Sequence, residues 1–350
     1  MSTVNATTYQ HESGAGSNIT LDNQGNVVCA ADIQSTSQNG GQLAGFRNQL
    51  INGGFRVAQR GDDFFSSAPA DTDDPYTLDR WCVSSIASAQ PTRVARQNND
   101  APPGFAWSVA LYANGNPAGA SRQSFIQAIE LQRPGNNNQF VVGSTWTLSF
   151  WVKSIANSSI GVSAGFRPSA QTLGTTPEEL SETVNTTTAW VQQSHTFTIA
   201  NTADAGDQCF AVIFYNAVAT NTSILLAGIS LEPGPVATPF EQRPIGLELE
   251  LCKRYYQYID YSSNNGSQTT PGSGWYIYPI QFPVQMRQAP TVSASDAGSN
   301  TGDAIYQLVD GTSGTGFVVV NNYDTSIAIR GNNSTVTRFL RGRVKLDAEL

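Results

Sequence analysis

The stretch Thr147-Leu148-Ser149-Phe150-Trp151-Val152-Lys153 alternates apolar and polar side chains. Successive side chains of a strand point to opposite faces, so Leu148, Phe150 and Val152 share one face and Ser149, Trp151 and Lys153 share the other. The first face belongs to a core, and the pattern predicts a half-buried β-strand. The same reading extends outward along the chain. From Val191 to Ile199 the odd positions are mostly apolar and the even ones polar. Cys209 to Tyr215 is apolar on both faces and predicts a central strand. The 31 Gly and 17 Pro residues cut the chain into short runs of this kind. Many short strands with turn signals between them predict an all-β sandwich and not alternating β and α units.

Composition agrees with a folded chain. Of 350 residues, 39% are hydrophobic and 10% aromatic, with 6 Trp. At about 150 residues per domain this is enough for about two domains, each with a normal core. Charged residues are only 13% and the net charge is −8, whereas a disordered chain is charge-rich and aromatic-poor. The acidic balance argues against broad binding to nucleic acid or an anionic membrane. No run approaches the roughly 18 apolar residues of a membrane span. The first twenty residues lack the basic and apolar regions of a secretory signal, so the protein is expected in a cytoplasm or to leave it by a route that needs no signal. Cys29, Cys82, Cys209 and Cys252 are far apart and form no metal or disulfide pattern. They read as small apolar thiols at packed positions.

Residues 1–44 are polar and Gly-rich, with short β-like pieces at Ile19-Thr20-Leu21 and Asn26-Val27-Val28. Such a segment buries too little surface to order itself, so a partner chain or a symmetric oligomer is expected to hold it. Residues 244–260 predict a helical connector: Pro244 suits a first turn, and Leu247, Leu251 and Tyr255 follow at four-residue spacing. A Gly/Ser/Asn-rich loop follows to residue 274. A last block, 275–350, opens with a strand placing Tyr276, Tyr278, Ile280, Phe282, Val284 and Met286 on one face. It closes with Thr335 to Leu346, where Phe339, Arg341, Arg343 and Lys345 share one face and Leu340, Val344 and Leu346 the other.

Catalytic patterns are sparse. His11 lies in the polar segment, and His195 falls on the apolar face of its strand beside Phe197. No nucleophile elbow, phosphate loop or metal-ligand cluster appears. Asp71, Asp73 and Asp74 read as a solvated turn, with a weak calcium site as the alternative. Aromatic residues are the stronger lead, because sugars stack their apolar faces on exposed rings while polar side chains bond the hydroxyls. Trp151, on the polar face of its strand, is a candidate, with Gln127 and Glu130 from the preceding run; the other reading is packing against a further layer or subunit. Trp81 and Trp107 read as core. In the last block Trp275, Tyr276, Tyr278 and Tyr323 are further stacking candidates. Arg341, Arg343 and Lys345 form a cationic strip suited to phosphate or carboxylate groups, or else a solvated face.

Several phrases then combine. Asn48-Gln49-Leu50-Ile51-Asn52-Gly53-Gly54-Phe55 is followed by Gln59-Arg60-Gly61, Tyr76-Thr77-Leu78-Asp79-Arg80-Trp81, Ile129-Glu130 and the 147–154 strand. Gly228-Ile229-Ser230-Leu231-Glu232-Pro233-Gly234, Ala237-Thr238-Pro239-Phe240-Glu241, Arg243-Pro244 and Leu251-Cys252-Lys253-Arg254-Tyr255-Tyr256-Gln257 close the set. Their order resembles the carbohydrate-binding-module-like jelly roll of bacteriophage tail fibres and related virion proteins, over about residues 45–260. Ile19 to Val27 resembles the virion-attaching start of phage fibres, and Met286 to Val292 the opening of their C-terminal domain.

The resemblance implies an all-β chain in four parts: an N-terminal virion-attachment segment (1–44), a jelly roll (45–243), a helical connector and loop (244–274) and a distal β-sandwich (275–350). It implies a tail-fibre or appendage subunit in the virion tail, assembled in the host cytoplasm. That subunit would be a homotrimer, held to other tail proteins through residues 1–44 and binding a host surface glycan. Neither nucleic-acid binding nor membrane insertion is expected. Two other classes stay open: a virion decoration or connector protein without a ligand, and a polysaccharide depolymerase. No enzymatic activity is expected. Where calcium-holding jelly rolls carry acids, this chain has Arg56 and Leu225-Leu226-Ala227, so neither a metal nor any other cofactor is expected.

Overall fold

A computed structural model describes residues 46–66, 76–86, 92–113, 122–131, 139–156, 158–168, 178–204, 206–216, 223–263, 268–269, 275–295, 304–308, 313–315, 317–332 and 338–349, with three strands in the N-terminal segment. Those strands, β1 (Thr8–Tyr9), β2 (Ile19–Leu21) and β3 (Val27–Cys29), pair antiparallel in chain order.

The next strands build a sandwich: β4 (Asp63–Ser66), β5 (Cys82–Ile86), β6 (Thr92–Gln97), β7 (Ser108–Ala113), β8 (Arg122–Glu130), β9 (Thr145–Ser154), β10 (Ser158–Arg167), β11 (Leu180–Thr186), β12 (Val191–Thr198), β13 (Cys209–Asn216) and β14 (Ile224–Pro233). One sheet has the order β11-β10-β13-β8-β5, the other β12-β9-β14-β7-β6-β4. The core lies between them. Leu148, Phe150 and Val152 enter it from β9, as their alternation requires, while Trp151 and Lys153 stay half-buried on the outward face. β13 is the middle strand of its sheet, with Phe210, Val212 and Phe214 in the main core and Cys209, Ala211 and Ile213 in a second cluster on the opposite face. Rings fill the centre: Trp81 stacks on Phe125 at 4.6 Å and Phe140 on Phe210 at 4.0 Å. Burial pushes the Cys209 thiol up to about 12 and the Cys252 thiol well above its ordinary value, so both are packing groups.

Residues 48–57 close one end of the sandwich as buried, irregular chain. Their backbone groups therefore need partners inside the protein. Asn48 Nδ2 donates to the Ile229 carbonyl at 3.1 Å, and its Oδ1 accepts from Leu231 N at 3.0 Å. Gln127 brackets Ile51, accepting from its N–H and donating to its carbonyl, both at 2.7 Å. Asn52, at φ 59°, donates to the carbonyls of Val57 and Asp79, and Trp81 Nε1 donates to the Asn52 carbonyl. Glu248 accepts from Asn52 N, while Arg243 donates to the carbonyls of Asn48 and Leu50. Gly53 runs so close to β14 that a Cβ there would sit 2.0 Å from the Ile229 carbonyl oxygen.

The connector differs from its sequence reading. Helix α1 is Ile245–Lys253 and stops well short of residue 260. Tyr256–Ser263 is instead β15, paired along its whole length with a C-terminal strand. The residues explain the switch: Tyr-Gln-Tyr-Ile-Asp-Tyr alternates and is rich in aromatic and β-branched side chains, and the apolar four-residue spacing ends at Tyr255.

The remaining strands are β16 (Gln268–Thr269), β17 (Trp275–Gln281), β18 (Thr291–Ser295), β19 (Ala304–Leu308), β20 (Ser313–Thr315), β21 (Phe317–Asn322), β22 (Ser326–Asn332) and β23 (Arg338–Asp347). One sheet runs β15-β23-β19-β20 with β18 also on β23, and the other runs β16-β17-β22-β21. Ile280, Met286, Ile327, Val344, Leu346 and Ala348 form their shared core.

This unit is clamped to the sandwich by charge. Glu349 is buried and pairs with both Arg80 and Arg60, the latter at 3.2 Å. Arg60 also meets Asp347 at 2.9 Å and lies 3.6 Å above the Tyr256 ring; Arg80 lies 3.4 Å above the Tyr255 ring and donates to the Ala128 carbonyl. Removing one partner of a buried pair leaves the other uncompensated. Glu349→Ala is therefore expected to cost about 3–5 kcal/mol in urea unfolding; a loss below about 1 kcal/mol would show that the clamp carries little. Gly53→Ala is expected to cost about 1–3 kcal/mol through overpacking, checked by the same measurement.

Candidate functional site

The outward face of the six-stranded sheet gathers the candidate site. Antiparallel partners share a face, so Trp151 on β9 stands between Gln192 of β12 and Ala227 of β14. Lys153 follows two residues on, on the same side. Trp190 immediately precedes β12 and continues the alternation of Gln192, which puts it on the Lys153 side of that row. Trp151 and Trp190 are thus diagonal neighbours on adjacent strands, a spacing aromatic side chains can bridge.

Asp100, in the loop after β6, fixes this arrangement. Its Oδ2 is 2.7 Å from Lys153 Nζ, and Trp190 Nε1 donates to its Oδ1 at 2.9 Å. Ser108 Oγ donates to the Asp100 carbonyl at 2.6 Å and anchors the loop to β7. Burial pushes the Asp100 carboxyl up, but the hydrogen bonds from Lys153 and Trp190, with the Lys153 charge, outweigh it and hold the group below its ordinary value. The floor beside the rings consists of buried Ala95, Ser108, Ala110, Leu225 and Ala227. Small floor residues leave the half-buried rings standing above the sheet. Farther across the sheet Tyr112 lies under Arg93, 4.7 Å from its guanidinium, and Arg93 is held by Asp63 at 2.6 and 2.9 Å. The face therefore combines two indoles, an ionised carboxylate, an ammonium and the exposed amide of Gln192. That set can stack on an apolar ring face and bond hydroxyl groups.

The other sequence candidates lie elsewhere. Gln127 is not beside Trp151. β8 belongs to the opposite sheet, where Gln127 points inward, is buried and is committed to Ile51. Glu130, on the far face of that sheet, bonds Arg254 at 3.1 Å and Tyr255 Oη at 3.3 Å at the junction. Trp275, Tyr276 and Tyr278 lie on β17 and Arg341 on β23, but their side chains fall outside the described residues. Tyr323 is exposed in the β21–β22 turn. Arg343 is engaged by Asp260 through bonds of 2.6 and 3.0 Å and lies 4.2 Å over Tyr258. Lys345 is half-buried opposite Tyr258, so the strip is partly neutralised and shaded. Asp71, Asp73 and Asp74 are outside the described residues. His195 faces the core opposite Leu148, 6.0 Å from the Phe150 ring. Among the described residues, no group of His, Cys, Asp and Glu could hold a metal ion.

Sequence reading missed Trp190 and Asp100. The alternation starting at Val191, carried back one residue, would have placed Trp190 on the face of Gln192. Nothing local marks Asp100, which lies 53 positions from Lys153.

No family model and no curated protein matches the chain. Solved structures overlap parts of it. Tailspike protein 4 of bacteriophage CBA120, in its enzymatically active domain, matches over 44% of this chain with 14% identity and a TM-score of 0.33. The matched part spans 19% of that protein. A CBM4 structure matches over 52% of this chain and 97% of its own, with 18% identity and a TM-score of 0.33. The N-terminal cellulose-binding domain of β-1,4-glucanase C from Cellulomonas fimi matches over 41% and 90%, with 17% identity and a TM-score of 0.27. Similarities of this size assign no function to the chain.

The Asp100 linkage predicts a pH dependence. A carboxyl held below its ordinary value contributes while ionised, and that contribution is lost as pH falls through the lowered value. Tryptophan fluorescence is expected to be flat from neutral pH down to about 4 and to shift only below it. In Asp100→Asn the acid shift from this site should disappear.

Proposed function

We propose that this chain is a bacteriophage tail-fibre or appendage protein that attaches the particle to a host surface glycan, and that the glycan lies on the Trp151–Trp190 platform. The carrying observation is the pair of indoles held on one outward face by a single ionised carboxylate. A glycan site needs rings to stack on and fixed polar groups at their edges, and this face supplies both. The phage assignment is supported by the ordered phrases from Asn48 to Gln257 and by the fibre-like start at Ile19 to Val27. In this reading residues 1–44 join the chain to other tail proteins.

Binding without cleavage is part of the proposal. A general acid needs a carboxyl that still carries its proton near the working pH. Asp100 is held the other way, below its ordinary value, which suits accepting bonds from sugar hydroxyls. The platform is favoured over the distal cationic strip because it offers two half-buried indoles beside fixed polar groups, whereas Arg343 of the strip is a cation already held by Asp260.

A glycan array probed with the intact protein should give a set of positive bacterial surface glycans. Trp151→Ala and Trp190→Ala should each weaken binding to them at least tenfold, about 1.4 kcal/mol, with unchanged far-UV circular dichroism. Arg343→Ala should leave it nearly unchanged. Full retention in both tryptophan variants would overturn the platform. Release of reducing ends from a bound polysaccharide would overturn the non-enzymatic reading.

A further inference from the structure

The register of the six-stranded sheet sorts its outward face into rows. One row runs Gln192, Trp151 and Ala227 across β12, β9 and β14. The next starts at Trp190, by continuation of the β12 alternation, and runs through Lys153, Leu225, Ala110 and Ala95 to Asp63 on β4. A third holds Tyr112 and Arg93. Among the described residues of these rows the cations are Lys153 and Arg93, and each already has a carboxylate. Lys153 Nζ lies 2.7 Å from Asp100 Oδ2. Arg93 meets Asp63 through Nε at 2.9 Å and Nη2 at 2.6 Å, and its guanidinium lies 4.7 Å from the centre of the Tyr112 ring. That two-pronged bond uses an edge with which a guanidinium takes the oxyanion of a ligand. The carboxylates remain partly open: the side chain of Asp63 is 51% exposed and that of Asp100 35%. The face therefore turns acceptors toward a ligand and keeps its cations committed.

We infer that this face selects uncharged glycan chains and rejects chains that bear carboxylate or phosphate. The inference rests on the glycan reading above and names the class of its ligand. A neutral sugar brings hydroxyl donors. A carboxylate has about four lone-pair sites, so Asp100 and Asp63 can accept such donors with both ion pairs intact. The sugar's own oxygens find donors in the exposed Gln192 amide and in the ammonium protons of Lys153 that Asp100 does not use. An acidic sugar meets a different situation. It reaches a cation only by displacing a carboxylate, and the displaced group then stands beside it as a like charge. Building repulsion against the wrong ligand is a general route to specificity. At Lys153 the displacement has a second cost, because Asp100 also holds Trp190 Nε1 at 2.9 Å. An anion that moved Asp100 would loosen one of the rings on which the sugar stacks. The net charge of −8 acts in the same direction, repelling polyanions before contact. Asp63 and Arg93 thereby become specificity-determining residues, although they lie three and two strands beyond β14.

The test compares neutral members of a bacterial glycan array with acidic members carrying uronic acid, sialic acid or phosphate, using the intact protein. The wild type should bind neutral members at least about tenfold more tightly. That binding should change little between about 0.05 and 0.5 M NaCl, where exposed charges become screened. Asp100→Asn leaves Lys153 without its counter-charge while keeping an oxygen for Trp190, and Asp63→Asn does the same for Arg93. Combined, the two substitutions should raise the ratio of acidic to neutral binding at least about tenfold, and high salt should erase that gain. Wild-type binding that favours acidic members and is removed by Trp151→Ala overturns this inference and leaves the platform standing. An unchanged ratio in the double variant, with unchanged far-UV circular dichroism, overturns it as well. Neutral binding that survives both Trp151→Ala and Trp190→Ala overturns the platform and the inference together.

Discussion

Much of the architecture depends on one constraint: residues 48–57 are largely buried without being strand or helix, so their peptide groups need partners inside the protein, many of them from other elements. Asn48 answers to β14, Gln127 reaches in from β8, Asn52 ties the segment to the Asp79–Trp81 turn, and Glu248 with Arg243 brings in the connector. A hydrogen bond is worth only about 0.5–1.5 kcal/mol net, but an unmet buried group costs about 1–3 kcal/mol. The network therefore works mainly as a specification. It accepts one arrangement of two sheets, one turn and one helix, and it explains why Asn, Gln, Arg and Glu are buried in a β core.

Much of the fold was legible because it is written in local alternation. β9 and β13 follow directly from side chains taking opposite faces, and Val344 and Leu346 of β23 turned inward as their spacing requires. The end of the helix was not legible by the same means. Tyr255 continues a four-residue apolar spacing while Tyr256 begins a two-residue one, and only the pairing of β15 with β23 decides between them.

The candidate site was half legible. Trp151 on a polar face was readable from its own strand. Its companions were not, because strands adjacent in sequence need not be adjacent in a sandwich. β8 and β9 follow one another yet lie in opposite sheets, so Gln127 went to the core. The real neighbours, Trp190 and Asp100, come from a strand entrance and a loop. Their roles arise from two hydrogen bonds that exist only once β12, β9, β14, β7 and β6 have joined in one sheet.

The charge clamp has a consequence for synthesis. Arg80 and Glu349 are 269 positions apart. At about 5–20 residues per second, a ribosome needs tens of seconds or less to travel from one to the other. During that interval the sandwich can assemble everything except a home for two guanidinium groups. Arg60 and Arg80 must then stay in water, with the apolar patch of Cys82, Ile126, Ala128, Cys209, Ala211 and Ile213 close by. The nascent chain thus passes through a stage in which a cationic, sticky surface is open to its surroundings. Closing the last β-strand converts that surface into interior, and the vulnerable window lasts no longer than translation of the stretch from Arg80 to Glu349.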